Sequence, residues 1–266
     1  MVDVSTLRSF LFVPANRPER FAKAAASGAD AVILDLEDAV AREDKEAARA
    51  ALDTRFTDLP VIVRVNAIGT EWHDADLAAL RALGVAAVML PKSETPETVS
   101  EVHRQLGGQM PLLALVESAQ GLANARTIAA AQGVARLVFG SIDYCADLGC
   151  AHLREILQPA RAELVLASRL AGIAAPVDGV TTDLSDPEIT RSDASHARDH
   201  GMTGKLCIHP KQVAPTIAAF LPSDVERDWA RRVLAAGDGA VAVDGAMVDE
   251  PVRIRARTIL AAGEPS

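Results

Sequence analysis

Eight short apolar runs recur along the chain, at 10–13, 31–34, 61–65, 86–90, 112–116, 137–139, 176–180 and 206–208. Each is followed by a longer stretch in which apolar residues return every three or four positions, the pattern of a strand leading into an amphipathic helix. Near-continuous Val, Ile and Leu content, rather than in/out alternation, suits strands covered on both faces of a parallel sheet. Helix starts are marked by Pro18, by Thr95 before Pro96 and by Asp186 before Pro187, because proline fits the first turn. Gly28, Gly84 and Gly201 mark helix ends shortly before the next strand. Eight such units with short connections close most simply into a (β/α)8 TIM barrel, an α/β fold. An open doubly wound sheet is the alternative, but no Gly-x-Gly-x-x-Gly follows the first run.

The predicted barrel occupies 1–222. The remainder, 223–266, exceeds what a barrel requires and is predicted as a C-terminal helical extension at a subunit interface. It reads as a helix over 224–236, a turn-rich piece over 237–249 with an Asp244-Gly245 turn, and a last helix over 251–262.

A globule of 266 residues buries roughly 70 to 75% of its unfolded surface and needs no disulfides to hold it. Cys145, Cys150 and Cys207 make an odd set with no C-x-x-C, which argues against a disulfide framework and a zinc knuckle. The start, Met1-Val2-Asp3-Val4-Ser5, lacks a basic n-region, and no apolar run reaches the ~18 residues of a spanning helix. A cytoplasmic protein with no membrane partner is therefore expected. A formal charge of −9 opposes a phosphate backbone, and 3% aromatics offers few base-stacking platforms, so no nucleic-acid partner is expected.

Barrel chemistry collects where strands end at their C-terminal side, which directs attention to the polar residues after each run. These include Asp35, Glu37 and Asp38, then Arg64, Lys92, Glu117, the Gly140-Ser141-Ile142-Asp143 segment, and His209. Glu117 and Asp143 are the sharpest pair. Two carboxylates brought together repel unless they share a proton or a cation, and Mg²⁺ commonly takes one or two of them. The competing reading makes them acidic caps of the following helices. Arg64 is expected at the lumen rim, where it clamps a carboxylate or enolate oxygen, forms a structural ion pair with Glu37 or Asp38, or does both. Gly140-Ser141 offers backbone N–H groups to an anion, or a plain tight turn. His196 and His200, at helical spacing, read as solvated residues rather than metal ligands. His209 reads as a structural hydrogen-bonder, Cys145 as a small core filler, and Arg253, Arg255 and Arg257 as a solvated face.

Eight segments, in order across nearly the whole chain, resemble the citrate lyase β-subunit-like family, which includes malyl- and citramalyl-CoA lyases. They are 8–20 (RSFLFVPANRPER), 34–40 (LDLEDAV), 63–66 (VRVN), 90–92 (LPK), 116–118 (VES), 139–144 (FGSIDY), 204–210 (GKLCIHP) and 247–251 (MVDEP). The resemblance implies a Mg²⁺-dependent barrel that makes or breaks a carbon–carbon bond between an acyl-CoA or acyl-carrier thioester and a 2-oxo acid. It implies Glu117 and Asp143 as metal ligands and Arg64 as the substrate-binding arginine, and Glu117, Gly140 and Ser141 are expected around the substrate as well. Glu37 and Asp38 match the family's acidic pair. Asp249 matches an aspartate supplied by a neighbouring subunit and is assigned acid/base work. Arg17, Arg20 and Lys23 are candidates for coenzyme A phosphates, against the reading of a solvated helix start. Relatives are trimers or hexamers, and an acyl-carrier or lyase-complex partner is a further possibility. Position 142, acidic in many relatives, is Ile142 here, and segment 181–189 lacks the aromatic and glycine many relatives carry. Two other functions are weighed: an aldolase acting on free 2-oxo acids, and a partner-dependent subunit of a citrate lyase complex.

Overall fold

A computed structural model describes residues 3–237, 239 and 241–262. Two compact units meet in the chain at Ile217/Ala218. The first is a closed barrel of eight parallel strands: β1 Ser9–Pro14, β2 Ala31–Asp35, β3 Val61–Arg64, β4 Ala87–Leu90, β5 Leu112–Val116, β6 Val134–Phe139, β7 Ala174–Asp178 and β8 Gly204–Cys207. β1 pairs with both β2 and β8, Phe10 lying opposite Ala31 on one side and Leu206 on the other, which closes the ring. All eight expected runs are strands. The sixth starts three residues earlier than its apolar run because Arg136 interrupts the sequence pattern without interrupting the strand. The seventh and eighth begin two residues earlier and end before their runs do.

Period two along each strand sorts lumen from exterior. Phe10, Ile33, Ile62, Met89, Leu113, Leu115, Val138, Val177 and Leu206 form one buried cluster inside the barrel. The same parity, continued toward the C-terminal ends, carries Asp35 after Ile33, Arg64 after Ile62, and Glu117 after Leu115 into the mouth. Continued the other way from Val138, it brings Arg136 to the floor.

Arg136 is fully buried and lies 5.5 Å from the centroid of the Phe10 ring. It donates to Leu7 O at 2.7 Å, Val4 O at 3.2 Å, Ala175 O at 2.9 Å and Thr203 Oγ1 at 2.9 Å. Burial pushes its pKa down to about 10, with Asp3 opposing, so it stays charged at neutral pH. One side chain thus ties β6, β7, the start of β8 and the N-terminal segment together beneath the core. Arg136→Met should destabilise the protein by about 3–5 kcal/mol, since it strands several buried acceptors at once. Denaturant unfolding reads this, with turnover of the folded protein unchanged.

The second unit has a helix, Asp224–Ala235, opened by a capping box in which Ser223 and Glu226 satisfy each other's backbone amides. An antiparallel hairpin follows, β9 Val241–Val243 and β10 Ala246–Val248, then a helix Glu250–Ala262. The expected Asp244-Gly245 turn is the hairpin's two-residue loop, and both residues have positive φ, 52° and 81°. Ala230, Val233, Val248 and Ala256 form its core. Arg253 is buried here, contrary to the solvated face expected for 253–257. Its guanidinium donates to Gly237 O at 2.7 Å and Gly239 O at 2.5 Å, supplying acceptors just beyond the helix end with donors. Among the described residues no helix is long and apolar enough to cross a membrane.

Candidate active site at the barrel mouth

Arg64 is the last residue of β3 and its side chain is only 11% exposed. Nε and Nη2 each donate at 2.7 Å to the two oxygens of Asp35, the last residue of β2 and its register partner. This bidentate grip fixes the plane of the guanidinium, which lies 4.8 Å from the centroid of the Phe12 ring. Asp35 was therefore the partner missed by the sequence reading. Of the two partners expected there, Glu37 Oε2 stands 3.1 Å from Arg64 Nη1 without the alignment of a hydrogen bond, and Asp38 is at 3.8 Å. Burial opposes the charge on Arg64, but Asp35 above all, then Glu37 and Asp38, lift its pKa above the ordinary value.

Glu37 is buried beside this arginine. Burial raises its pKa to about 7; Arg64 opposes the rise, and Asp38 and Asp35 add to it, with Lys92 opposing too. Lys92 Nζ reaches Glu37 Oε1 at 3.3 Å, while its own backbone amide donates to Glu117 Oε1 at 2.8 Å. Lys92 has φ of 48°, a left-handed conformation that is costly for a residue with a Cβ. That conformation is held by a residue that joins the two buried glutamates.

Glu117 follows β5. It does not cap the next helix: Ser118 does, accepting from Gly121 N at 3.1 Å. Asp143 lies in the first turn of the helix Ser141–Leu148, so the capping reading survives for Asp143 alone. Burial raises the Glu117 pKa to about 8, Glu37 adds to the rise, the Lys92 amide opposes it, Asp143 raises it further and Arg64 opposes. Among the described residues no cationic side chain pairs directly with Glu117 or Asp143. Both line one cavity of about 360 Å³, which Asp35, Arg64, Gly140 and Ser141 also line. Its wall is otherwise largely apolar, with Phe12, Leu115, Phe139, Val180 and Leu206.

Of the two readings of Gly140-Ser141, an anion site or a plain turn, the first loses Gly140 as a donor. Its amide donates to Val116 O at 2.9 Å and is already used by the sheet. What the position provides is space, because a Cβ there would lie 2.4 Å from Glu117 Cβ and 2.5 Å from Glu117 Oε2. Gly140→Ala should displace the Glu117 carboxylate and destabilise the fold by about 1–3 kcal/mol, readable by thermal melting and divalent-ion titration. Gly179, which the sequence did not single out, has the same function for Ser141, whose Oγ a Cβ would meet at 2.2 Å. The buried Ser141 hydroxyl is 2.9 Å from His152 Nε2. His152 was likewise missed, and burial, then Arg161 and Lys205, lower its pKa.

The expected residues Arg17, Arg20 and Lys23 are not among those lining the cavity. Arg17, Arg20 and Lys23 are exposed around the short turn and helix after β1, where Arg17 pairs with Glu19 at 2.7 Å. Asp249 belongs to the second unit, is exposed, and accepts a 3.4 Å bond from Val252 N at the start of the last helix. His196 and His200 are half-buried rather than solvated, their ring centroids 4.3 Å apart, with His196 Nε2 buried. His209 accepts from Lys211 N at 3.1 Å, and Cys145 is buried on the helix Ser141–Leu148, both as expected. Among the described residues no group of three or more His, Cys, Asp or Glu is placed to hold a metal ion.

Residues 8–210 match the HpcH/HpaI aldolase/citrate lyase family. A citrate lyase subunit beta-like protein of Deinococcus radiodurans is 41% identical over 276 residues, covering 96% of each chain. A (3S)-malyl-CoA thioesterase of Cereibacter sphaeroides is 36% identical, covering 97% of this chain and 94% of the relative. The crystal structure of CitE from Mycobacterium tuberculosis, in complex with magnesium, acetoacetate and coenzyme A, superposes with a TM-score of 0.88 at 40% identity, covering 98% of this chain and 99% of that one. The chain, with its closed eight-stranded barrel and the acid–arginine cluster at the barrel mouth, is an enzyme of the HpcH/HpaI aldolase/citrate lyase family.

Proposed function

We propose that this enzyme is a Mg²⁺-dependent carbon–carbon lyase that cleaves or forms a 3-hydroxyacyl-CoA thioester such as citryl-, malyl- or citramalyl-CoA. Its partners in that reaction are an acyl-CoA and a 2-oxo acid. The observation that carries this reading is the Glu117 carboxylate, buried, directly unpaired with any cation among the described residues, and sharing one cavity with Asp143 and Arg64. The neighbouring cations are already engaged by Asp35 and Glu37, which leaves Glu117 and Asp143 as a two-carboxylate donor set of the kind Mg²⁺ accepts. The relative from M. tuberculosis, crystallised in complex with magnesium, acetoacetate and coenzyme A, supports the reading of a site that takes magnesium and coenzyme A.

Glu117 and Asp143 would hold the metal. When bound, Mg²⁺ supplies Lewis acidity to the oxygens of the 2-oxo acid. Arg64, its plane fixed by Asp35, offers its remaining N–H edge to the oxygen on which enolate charge develops. Glu37, with a pKa near 7, can hold or give up a proton at Oε beside that arginine, and Asp38 extends the acidic rim. The apolar wall of Phe12, Leu115 and Phe139 limits water around the carbanion-like carbon. Asp249 is assigned the acid/base step from a neighbouring subunit of a homotrimer or hexamer, and Arg17, Arg20 and Lys23 the coenzyme A phosphates. Mixing Asp249→Ala with Arg64→Ala protomers should restore part of the activity, and no restoration in demonstrably mixed oligomers removes the in-trans role.

A panel of acyl-CoA and 2-oxo acid pairs, assayed with the isolated chain, tests the reaction class. Chelation should abolish turnover and Mg²⁺ should restore it. Cleavage of free 2-oxo acid aldols without a thioester would instead favour the aldolase reading.

The raised glutamate pKa values give the reading a pH signature. In the metal-free protein, Glu117 and Glu37 keep protons that the unfolded chain has released above about 4.5, so stability declines as pH rises through about 7 and about 8. A divalent ion must displace the Glu117 proton. Its apparent affinity should rise by up to about tenfold per pH unit and level off above about pH 8, which calorimetric titration at several pH values would show.

A further inference from the structure

One buried cation near the site has no role above. We infer that Lys45 is a positioning residue of the barrel mouth, its ammonium fixing the backbone of the loop after β2 so that Glu37 faces Arg64 and Lys92. The inference rests on the lyase reading of this cavity.

Lys45 opens the helix Lys45–Ala50 and is buried. Its Nζ donates to Leu36 O at 2.7 Å and to Glu37 O at 2.7 Å. The ammonium also lies 5.3 Å from the centroid of the Trp72 ring. Its hydrogen bonds go to carbonyls rather than to a carboxylate, so what it holds is the course of the chain. The other side of the loop is held by Asp35, which accepts from Glu37 N at 2.9 Å and Ala39 N at 3.1 Å. That same carboxylate grips Arg64, and Leu36 N donates to Arg64 O at 2.9 Å. A shift of the 36–38 backbone is therefore transmitted to the guanidinium as well as to Glu37.

The charges agree with this role. Lys45, Arg64 and Lys92 stand against Asp35, Glu37 and Asp38. Removing Lys45 leaves an excess of negative charge in the loop and removes a donor from two carbonyls. Glu37 O retains a bond from Val40 N at 3.0 Å, so the loop is loosened rather than abolished.

Lys45→Met should lower kcat of the folded enzyme about 30- to 100-fold, the scale on which small misplacements of reacting groups act, with KM changed less than about threefold. In an Arg64→Ala background the same substitution should cost less than about tenfold more, because the part of its effect that passes through Arg64 is already removed. Amides 37 and 39 should exchange hydrogen about tenfold faster. If Lys45→Met does not fold, Lys45→Gln, which keeps a neutral donor, carries the same three measurements. Parental kcat, losses that multiply independently in the double variant, or unchanged exchange would each overturn the inference. Absence of wild-type turnover with every thioester pair would instead overturn the lyase reading, and the exchange measurement would still decide whether Lys45 tethers the loop.

Discussion

Glu117→Gln protein should turn over at least about 1,000-fold more slowly than the parent and bind divalent ions far more weakly. The substitution is nearly isosteric, so the contact with Gly140 and the bond from the Lys92 amide can both survive. What it removes is the negative charge. Glu117 is buried, and burial together with Glu37 already penalises its ionised form, so only a strong cation makes that form dominant at neutral pH. Losing about 4 kcal/mol of transition-state stabilisation from the ion corresponds to the loss in rate. The stability of the metal-free protein should move in the opposite direction. The variant no longer carries a carboxylate that must stay protonated, so it should melt at least as high as the metal-free parent at pH values near 8. Steady-state kinetics with saturating Mg²⁺ and melting curves without metal separate the two effects. Parental kcat in the variant would show that Glu117 does not serve the metal.

Arg64→Ala should lower turnover about 100- to 1,000-fold, the loss expected when one preorganised donor to a developing oxyanion is removed. The geometry makes it a demanding site to replace. Two bonds of 2.7 Å to Asp35 hold the guanidinium in one plane, and Glu37 stands beside its remaining edge. Deleting the cation also leaves Asp35 buried without that partner and takes away the charge that opposes the rise in the Glu37 pKa. Arg64→Lys should recover little, because a single ammonium cannot make both parallel bonds to Asp35. In Arg64→Ala, which deletes the charge, the kinetic limb that reports Glu37 should move to higher pH, which a pH–rate profile would show.

Much of this architecture is legible in the amino-acid order. The apolar runs marked all eight barrel strands because strands buried on both faces cannot hide their composition. Arg136 shows the limit, since a charged residue on the barrel floor interrupts the run while its strand continues. At the mouth, strand ends pointed to Arg64, Glu117 and Asp143, and all three line one cavity. The assignment of Arg64 to Glu37 or Asp38 missed Asp35, whose place is set by the register between β2 and β3. Register is a long-range property that no local pattern prints. The parity of the second run, with Ile33 and Asp35 two apart, was the available signal. Gly140 and Gly179 were opaque for another reason: their value lies in the side chains that approach them, from Glu117 and Ser141. Arg253 defeated the solvated-face reading because its acceptors, Gly237 O and Gly239 O, lie before a hairpin that the sequence showed only as a turn.

The proposed mechanism requires Glu117 and Asp143 to ligate one divalent ion jointly. Crystals of the protein soaked in Mn²⁺ and measured near the manganese edge test it most directly. A single anomalous peak is expected at the barrel mouth, within about 2.5 Å of an oxygen of each carboxylate, and is expected to be lost in Glu117→Gln crystals. A peak bound elsewhere, or a barrel mouth without one at saturating Mn²⁺, would contradict it.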